Sequence, residues 1–275
     1  MKSSLIILQL FLTVSLLNAQ WSLEKDFSPT SSKQAEILIK SFKTCQDIKV
    51  GYYEAVSYRK FLLTNDTIVK TYHCYFEKHP MDSISGCFFH LIQYSGLNEE
   101  RRSIYTGEEF ISANVADSIA TYYQVYAWED EVQRLVRQAE LYLPFASPSS
   151  YPLTEHIDEY DKRETVDWIG DEMISGKTTH HIRLTRMLKD KGGVELRVIS
   201  NEFHFWIKSD DYVPLAYSVE LVAILGNDTL RQSEKYQLTA FQINEPLKEN
   251  MLSSKSLPSY YRLHPFDSEE MKKNK

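Results

Sequence analysis

From Val50 onward the chain is written in short runs of β-branched and aromatic residues, separated by turn residues. "VGYYEAVSYRKFLL" and "TIVKTYHCYFEK" flank "NDT" at Asn65 to Thr67, and "GCFFHLIQYS" and "RRSIYTGEEFISAN" continue the series. Such runs favour a pleated, half-buried surface, and their short connections predict antiparallel neighbours. The expectation up to Tyr123 is a meander of about five strands, with a tight turn at Thr106-Gly107. Strands resume after residue 160 with "RETVDWIGDEMISGKTTHHIRLTRML", "VELRVIS", "FHFWIK", "YVPLAYSVELVAIL" and "TLRQSEKYQLTAFQIN". The 13% aromatic content, with 18 Tyr against only 9 Gly and 9 Pro, agrees with a strand-rich chain.

Two segments carry a helical period instead. In "SSKQAEILIKSFKTCQ" (31–46), Ala35, Leu38, Ile39 and Phe42 form one stripe behind a Ser cap. In "EDEVQRLVRQAELYL" (129–143), Val132, Leu135, Val136 and Ala139 do the same, with acids leading and Arg134 and Arg137 following. "PFASPSSYPLTEH" then reads as a loop or hinge.

The first 19 residues combine Lys2, an apolar run from Leu5 to Leu17 and Ala19 before a cut. This is the pattern of a secretory signal peptide, and the run is short for a spanning helix, which needs about 20 apolar residues. The expected division is residues 1–19 as signal peptide, 20–250 as one domain and 251–275 as a C-terminal tail. The expected location is periplasmic, or secreted, with no membrane span in the mature chain. The net charge is -7 and no basic stripe occurs, so no nucleic-acid partner is expected.

Side chains with chemical potential are scattered rather than arranged. Cys74 and Cys87 flank a hairpin turn and are the candidates for a disulfide; plain buried thiols, like Cys45, are the competing reading. No CxxC occurs among the three cysteines. His180 and His181 are strand neighbours facing opposite ways, so a zinc site would need a further ligand such as His204. His73, Cys74 and His79 form a similar loose group. Glu155, Asp158, Glu159, Asp161 and Glu164 crowd a loop, where a solvated acidic surface competes with a hydrolytic pair or a weak divalent-cation site. The Tyr-rich "GYYEAVSY" fits either plain sheet surface or the lining of a ligand cavity. The two NDT sites fit turn chemistry, and are glycosylation sequons only in a eukaryotic source. No nucleophile elbow is present, so no catalytic residue, metal or cofactor is expected and the chain reads as a non-enzyme.

"FEKHPMDSISGCFFHL" (76–91), "SIYTGEEF" (103–110), "DEMISGKTTHHI" (171–182) and "FWIKSDDYVPLAYSVEL" (205–221) occur in the order helix, meander, helix, meander. This order resembles the LolA-like fold of outer-membrane lipoprotein carriers. It is closest to the LolA-like domain that precedes a TlpA-like thioredoxin domain in some exported Gram-negative proteins. The resemblance implies an α+β fold, mainly antiparallel β: a curled sheet or incomplete β-barrel enclosing, or covered by, two or more helices. It also implies a concave face that binds lipid or the acyl chains of a lipoprotein. The alternative is a protein-interaction or accessory domain for an exported thioredoxin-like or other envelope protein, without a lipid cavity. Thiol exchange is not carried over, because no thioredoxin segment follows in this sequence.

Overall fold

The two-residue period of the sequence becomes a two-faced sheet. In the computed structural model, which describes residues 33–61, 66–139, 141–142, 145, 160–188, 196–225 and 228–266, strand β1 (Val50–Lys60) buries Gly51, Tyr53, Ala55 and Ser57 and leaves Val50, Tyr52, Glu54 and Val56 half-buried. The remaining strands are β2 (Thr67–Lys78), β3 (Cys87–Ser95), β4 (Asn98–Tyr105), β5 (Glu109–Asn114), β6 (Ile119–Gln124), β7 (Tyr160–Ile174), β8 (Lys177–Leu188), β9 (Leu196–Lys208), β10 (Pro214–Leu225), β11 (Asp228–Ile243) and β12 (Arg262–Pro265). They form one sheet in the order β12-β6-β5-β4-β3-β2-β1-β11-β10-β9-β8-β7. The ladders from β2 to β6 and from β7 to β11 are antiparallel, and β12 runs parallel to β6.

The expected sheet with helices as its covering layer is corrected by this arrangement. The twelve-stranded sheet is the body of the fold, and the described residues contain two α-helices, α1 (Lys33–Asp47) and α2 (Glu129–Gln138). The second helix stops short of the expected Leu143. Ala139 turns extended, and its N–H caps the carbonyls of Leu135 and Val136. Part of the cover comes instead from irregular chain near the C-terminus. There Leu257 and Tyr261 pack on Ile104, Ile111, Ala113 and Ala120 of β4–β6. The segment expected as a tail from residue 251 is therefore packed as far as Phe266, whose ring stacks 4.6 Å from that of Tyr123. No helix among the described residues is long and apolar enough to cross a membrane. The signal-peptide segment, the asparagines of both NDT sites and Glu155, Asp158 and Glu159 lie outside the described residues, as do the side chains of Asp161 and Glu164.

The chain divides into two compact units, and β1, β2 and β11 contribute to both. The first comprises Met1–Ile48, Ala55–Val69 and Tyr142–Thr239. Here α1 buries Ala35, Ile37, Leu38, Phe42 and Cys45 and packs against β7 and β9. On the apolar sheet face, Ile182 and Leu184 lie opposite Phe205 and Phe203, which lie opposite Tyr217 and Val219. Tyr142 closes this layer with its ring 5.2 Å from Tyr217 and its hydroxyl donating to the Pro214 carbonyl at 2.8 Å.

The second unit comprises Lys49–Glu54, Lys70–Leu141 and Ala240–Lys275. Its core is a row of rings, Tyr53, Phe76, Phe89, Tyr105 and Phe110, all fully buried. Gly51 is required where β1 passes β11, because a Cβ there would stand 2.6 Å from the Gln242 carbonyl oxygen and 3.2 Å from the Phe76 ring.

Candidate functional site

The sequence places His204 and Trp206 on the strand face opposite Phe203, Phe205 and Ile207, and the register confirms that alternation. On that polar face His181 of β8 lies beside them. Its Nδ1 is 2.6 Å from Glu172 Oε1 and its Nε2 is 2.9 Å from His204 Nδ1. The second Glu172 oxygen accepts from the Trp206 indole N–H at 2.8 Å. Lys235 Nζ lies 4.1 Å over the Trp206 ring, and Glu202 Oε2 is 3.9 Å from His204 Nε2. Burial raises the Glu172 carboxyl, but the hydrogen bonds from Trp206 and His181 outweigh it and carry it below the usual carboxylate range. Burial, then the neighbouring His181, lowers His204.

His180, His181 and His204 do not converge on one point. His180 faces the other way, with its Nδ1 2.8 Å from Asp171 Oδ1. His181 and His204 meet nitrogen to nitrogen, and both nitrogens of His181 are engaged, so no lone pair of that ring is left to hold an ion. No set of three His, Cys, Asp or Glu among the described residues is arranged to hold a metal.

The thiols are equally enclosed. Cys45, Cys74 and Cys87 are all buried, and none is in a disulfide. Cys74 lies opposite Leu91, and Cys87 opposite Lys78. That register separates the two cysteines by four residues along the ladder, roughly 13 Å, where a disulfide needs Cα atoms about 4.4–6.8 Å apart. Burial pushes the Cys87 thiol up to about 12 and raises Cys74 as well, so both are held as poor nucleophiles. His73 and His79 do not join Cys74. The His73 ring packs 4.8 Å from Tyr94, and His79 stacks 3.6 Å from Phe88.

Sequence reading missed a different feature. At the ends of β1 and β2 that flank their shared connection, Tyr58, Ile68 and Val69 are 43%, 43% and 46% exposed. They belong to the first unit. Tyr58 closes "GYYEAVSY", which fits either sheet surface or a cavity lining, whereas Ile68 and Val69 are not singled out by the sequence reading. The available signal was that Ile68 and Val69 are adjacent: successive strand residues face opposite ways, and one of them must leave any one-sided core.

No protein-family model matches this chain, and no curated protein matches it. Solved structures similar to it include the MucA/MucB complex of Pseudomonas aeruginosa, 12% identical with a TM-score of 0.41, aligned over 81% of this chain and 61% of that one. That alignment spans less than two thirds of the matched chain. Lipoprotein LppX of Mycobacterium tuberculosis is 10% identical with a TM-score of 0.35, over 80% of this chain and 99% of that one. A LolA superfamily protein from Nitrosomonas europaea is 7% identical with a TM-score of 0.33, over 82% and 100%.

Proposed function

We propose that this chain is an exported, non-enzymatic binding module whose ligand is an alkyl chain, carried by a lipid or by the acylated end of a lipoprotein. The observation that supports this is the exposed apolar pair Tyr58 and Val69, which share one face at the ends of β1 and β2, with Ile68 exposed on the opposite face. Elsewhere in the same unit polar side chains close on one another, as in the chain from Glu172 through His181 to His204. The non-enzymatic reading draws on the same chain, since a base with both ring nitrogens engaged has none left for a substrate proton.

Alkyl burial suits such a surface because it asks for area, not direction. Each methylene removed from water contributes about 0.8 kcal/mol. An alkyl chain lying over Tyr58 and Val69 that loses contact with about two methylenes loses roughly tenfold in affinity. The test is displacement of an environment-sensitive fluorescent fatty acid by palmitate, on delipidated protein and on a Val69→Asp variant, with Ile68→Asp on the opposite face as control. Saturable displacement in the parent, weakened about tenfold by Val69→Asp and unchanged by Ile68→Asp, is the expected result. No probe binding, or equal binding in all three proteins, rejects an alkyl-chain ligand at this surface.

A further inference from the structure

On β1, β2 and β3 of the second unit, the face opposite the buried ring row carries a second set of aromatics. The Tyr52 and Tyr75 rings lie 4.7 Å apart at an interplanar angle of 33°. Tyr52 meets His73 edge-on at 6.3 Å and 86°, and His73 meets Tyr94 at 4.8 Å and 50°. All four are half-buried. Within this set Glu54 accepts the Tyr52 hydroxyl at 2.5 Å. Burial, reinforced by Glu54, raises Tyr52, and burial followed by Glu99 raises Tyr94, so the rings stay neutral phenols.

The patch lacks a cation of its own. Among the described residues, Glu54 has the Tyr52 hydroxyl as its partner and no Lys or Arg. The nearby cations are committed to other acids: Arg102 to Glu99 at 2.6 Å and Lys70 to Glu100 at 3.9 Å. Other aromatic residues of this protein do carry a lysine over the ring: Lys33 over Trp168, Lys40 over Tyr212 and Lys235 over Trp206. The rings on β1–β3 have the same negative faces, plus a carboxylate, with no side chain supplying the charge.

We infer that Tyr52, His73, Tyr75 and Tyr94 with Glu54 form a binding site for an alkylated ammonium group. The ring tilts decide between the two ligands that aromatic surfaces usually take. A sugar ring stacks on a flat platform, whereas rings set at 33°, 50° and 86° to one another present angled walls to a rounded cation. Glu54 adds the counter-charge that a neutral sugar does not need. The group could come from a free amine or from a lipid headgroup, and the site recognises the same chemistry in both.

Calorimetric titration of the purified protein with tetramethylammonium, choline, the neutral choline isostere neohexanol, and glucose tests the site. The cations are expected to bind in the millimolar range, and neohexanol and glucose not to bind. Glu54→Gln and Tyr75→Leu should each weaken choline about tenfold, with unchanged thermal melting. Monomeric dodecylphosphocholine binding more tightly than choline would assign the group to a lipid headgroup; equal binding would assign it to a free amine. Neohexanol binding as well as choline, glucose binding in preference, no cation binding, or full affinity in both variants would overturn the inference. Loss of acyl-probe binding at Tyr58 and Val69 leaves this result untouched, so the two sites fail separately.

Discussion

Lowering the pH should loosen the C-terminal segment from the sheet through one buried histidine. His90 of β3 is 2% exposed. Its Nδ1 lies 3.1 Å from both the Met251 carbonyl and Ser256 Oγ. Ser256 already donates to the Ser253 carbonyl, so both contacts are accepted from an Nδ1–H. The Nε2 therefore carries the lone pair and faces Arg102 Nη1 at 3.5 Å. A proton on Nε2 would be buried and would point at a guanidinium. Glu99, bound to that same guanidinium, compensates in part, and the Tyr75 ring lies 6.1 Å from that of His90. Burial first, then Arg102, lowers His90 to about 4. The unfolded chain titrates near 6.5, so between these values the unfolded state binds more protons and stability falls with falling pH. The penalty reaches about 2 kcal/mol by pH 5 and about 3 kcal/mol below pH 4. The assay is urea denaturation from pH 7 to pH 4 on the parent and on His90→Asn, which keeps an N–H donor near Nδ1 but cannot titrate. The variant should be less stable at pH 7 yet lose about 3 kcal/mol less across the range. Amide exchange at residues 251–256 should rise first. Parallel stability curves, or an NMR titration of His90 near 6.5, would refute the reasoning.

The remaining expectations concern packing. Gly51→Ala should cost about 1–3 kcal/mol in urea denaturation, because its Cβ would meet the Gln242 backbone oxygen at 2.6 Å. A loss under about 0.5 kcal/mol would show that β1 and β11 part easily there. All three cysteines should resist a thiol reagent in the native protein and react once it is unfolded, with an intact mass unchanged by reductant. A mass shift on reduction would instead reveal a bridge and require the β2–β3 register to slide.

What the sequence made legible was whatever a local period could carry. Helix α1 follows from its stripe of apolar residues, and the alternation of Phe203, Phe205 and Ile207 with His204 and Trp206 follows from period two. The C-terminal segment was not legible in this way. "SLPSYYRLHPF" has neither period, and its aromatics matter only because β4–β6 offer a face for Leu257 and Tyr261 to cover. The Cys74 and Cys87 reading failed for a related reason. Nearness to one turn suggested pairing, but the ladder set Cys87 opposite Lys78.

Register also explains why residues that look reactive here are poor candidates for chemistry. His181 and His204 are 23 residues apart in sequence, and they meet because β8 pairs with β9 so that His181 lies opposite Trp206. A slip of one residue would turn His181 to the apolar face and break its bonds to both Glu172 and His204. The pairing that builds the sheet therefore also joins its acids and bases into closed partnerships. A binding site on such a sheet is best sought where that closure is incomplete. Among the described residues, Tyr58 and Val69 leave apolar surface exposed, and at Glu54 a carboxylate and four rings have no lysine or arginine. Neither departure involves the cysteines or the paired histidines, although "GYYEAVSY" and His73 already stand out in the sequence. Both are visible only after each strand has been given its neighbours.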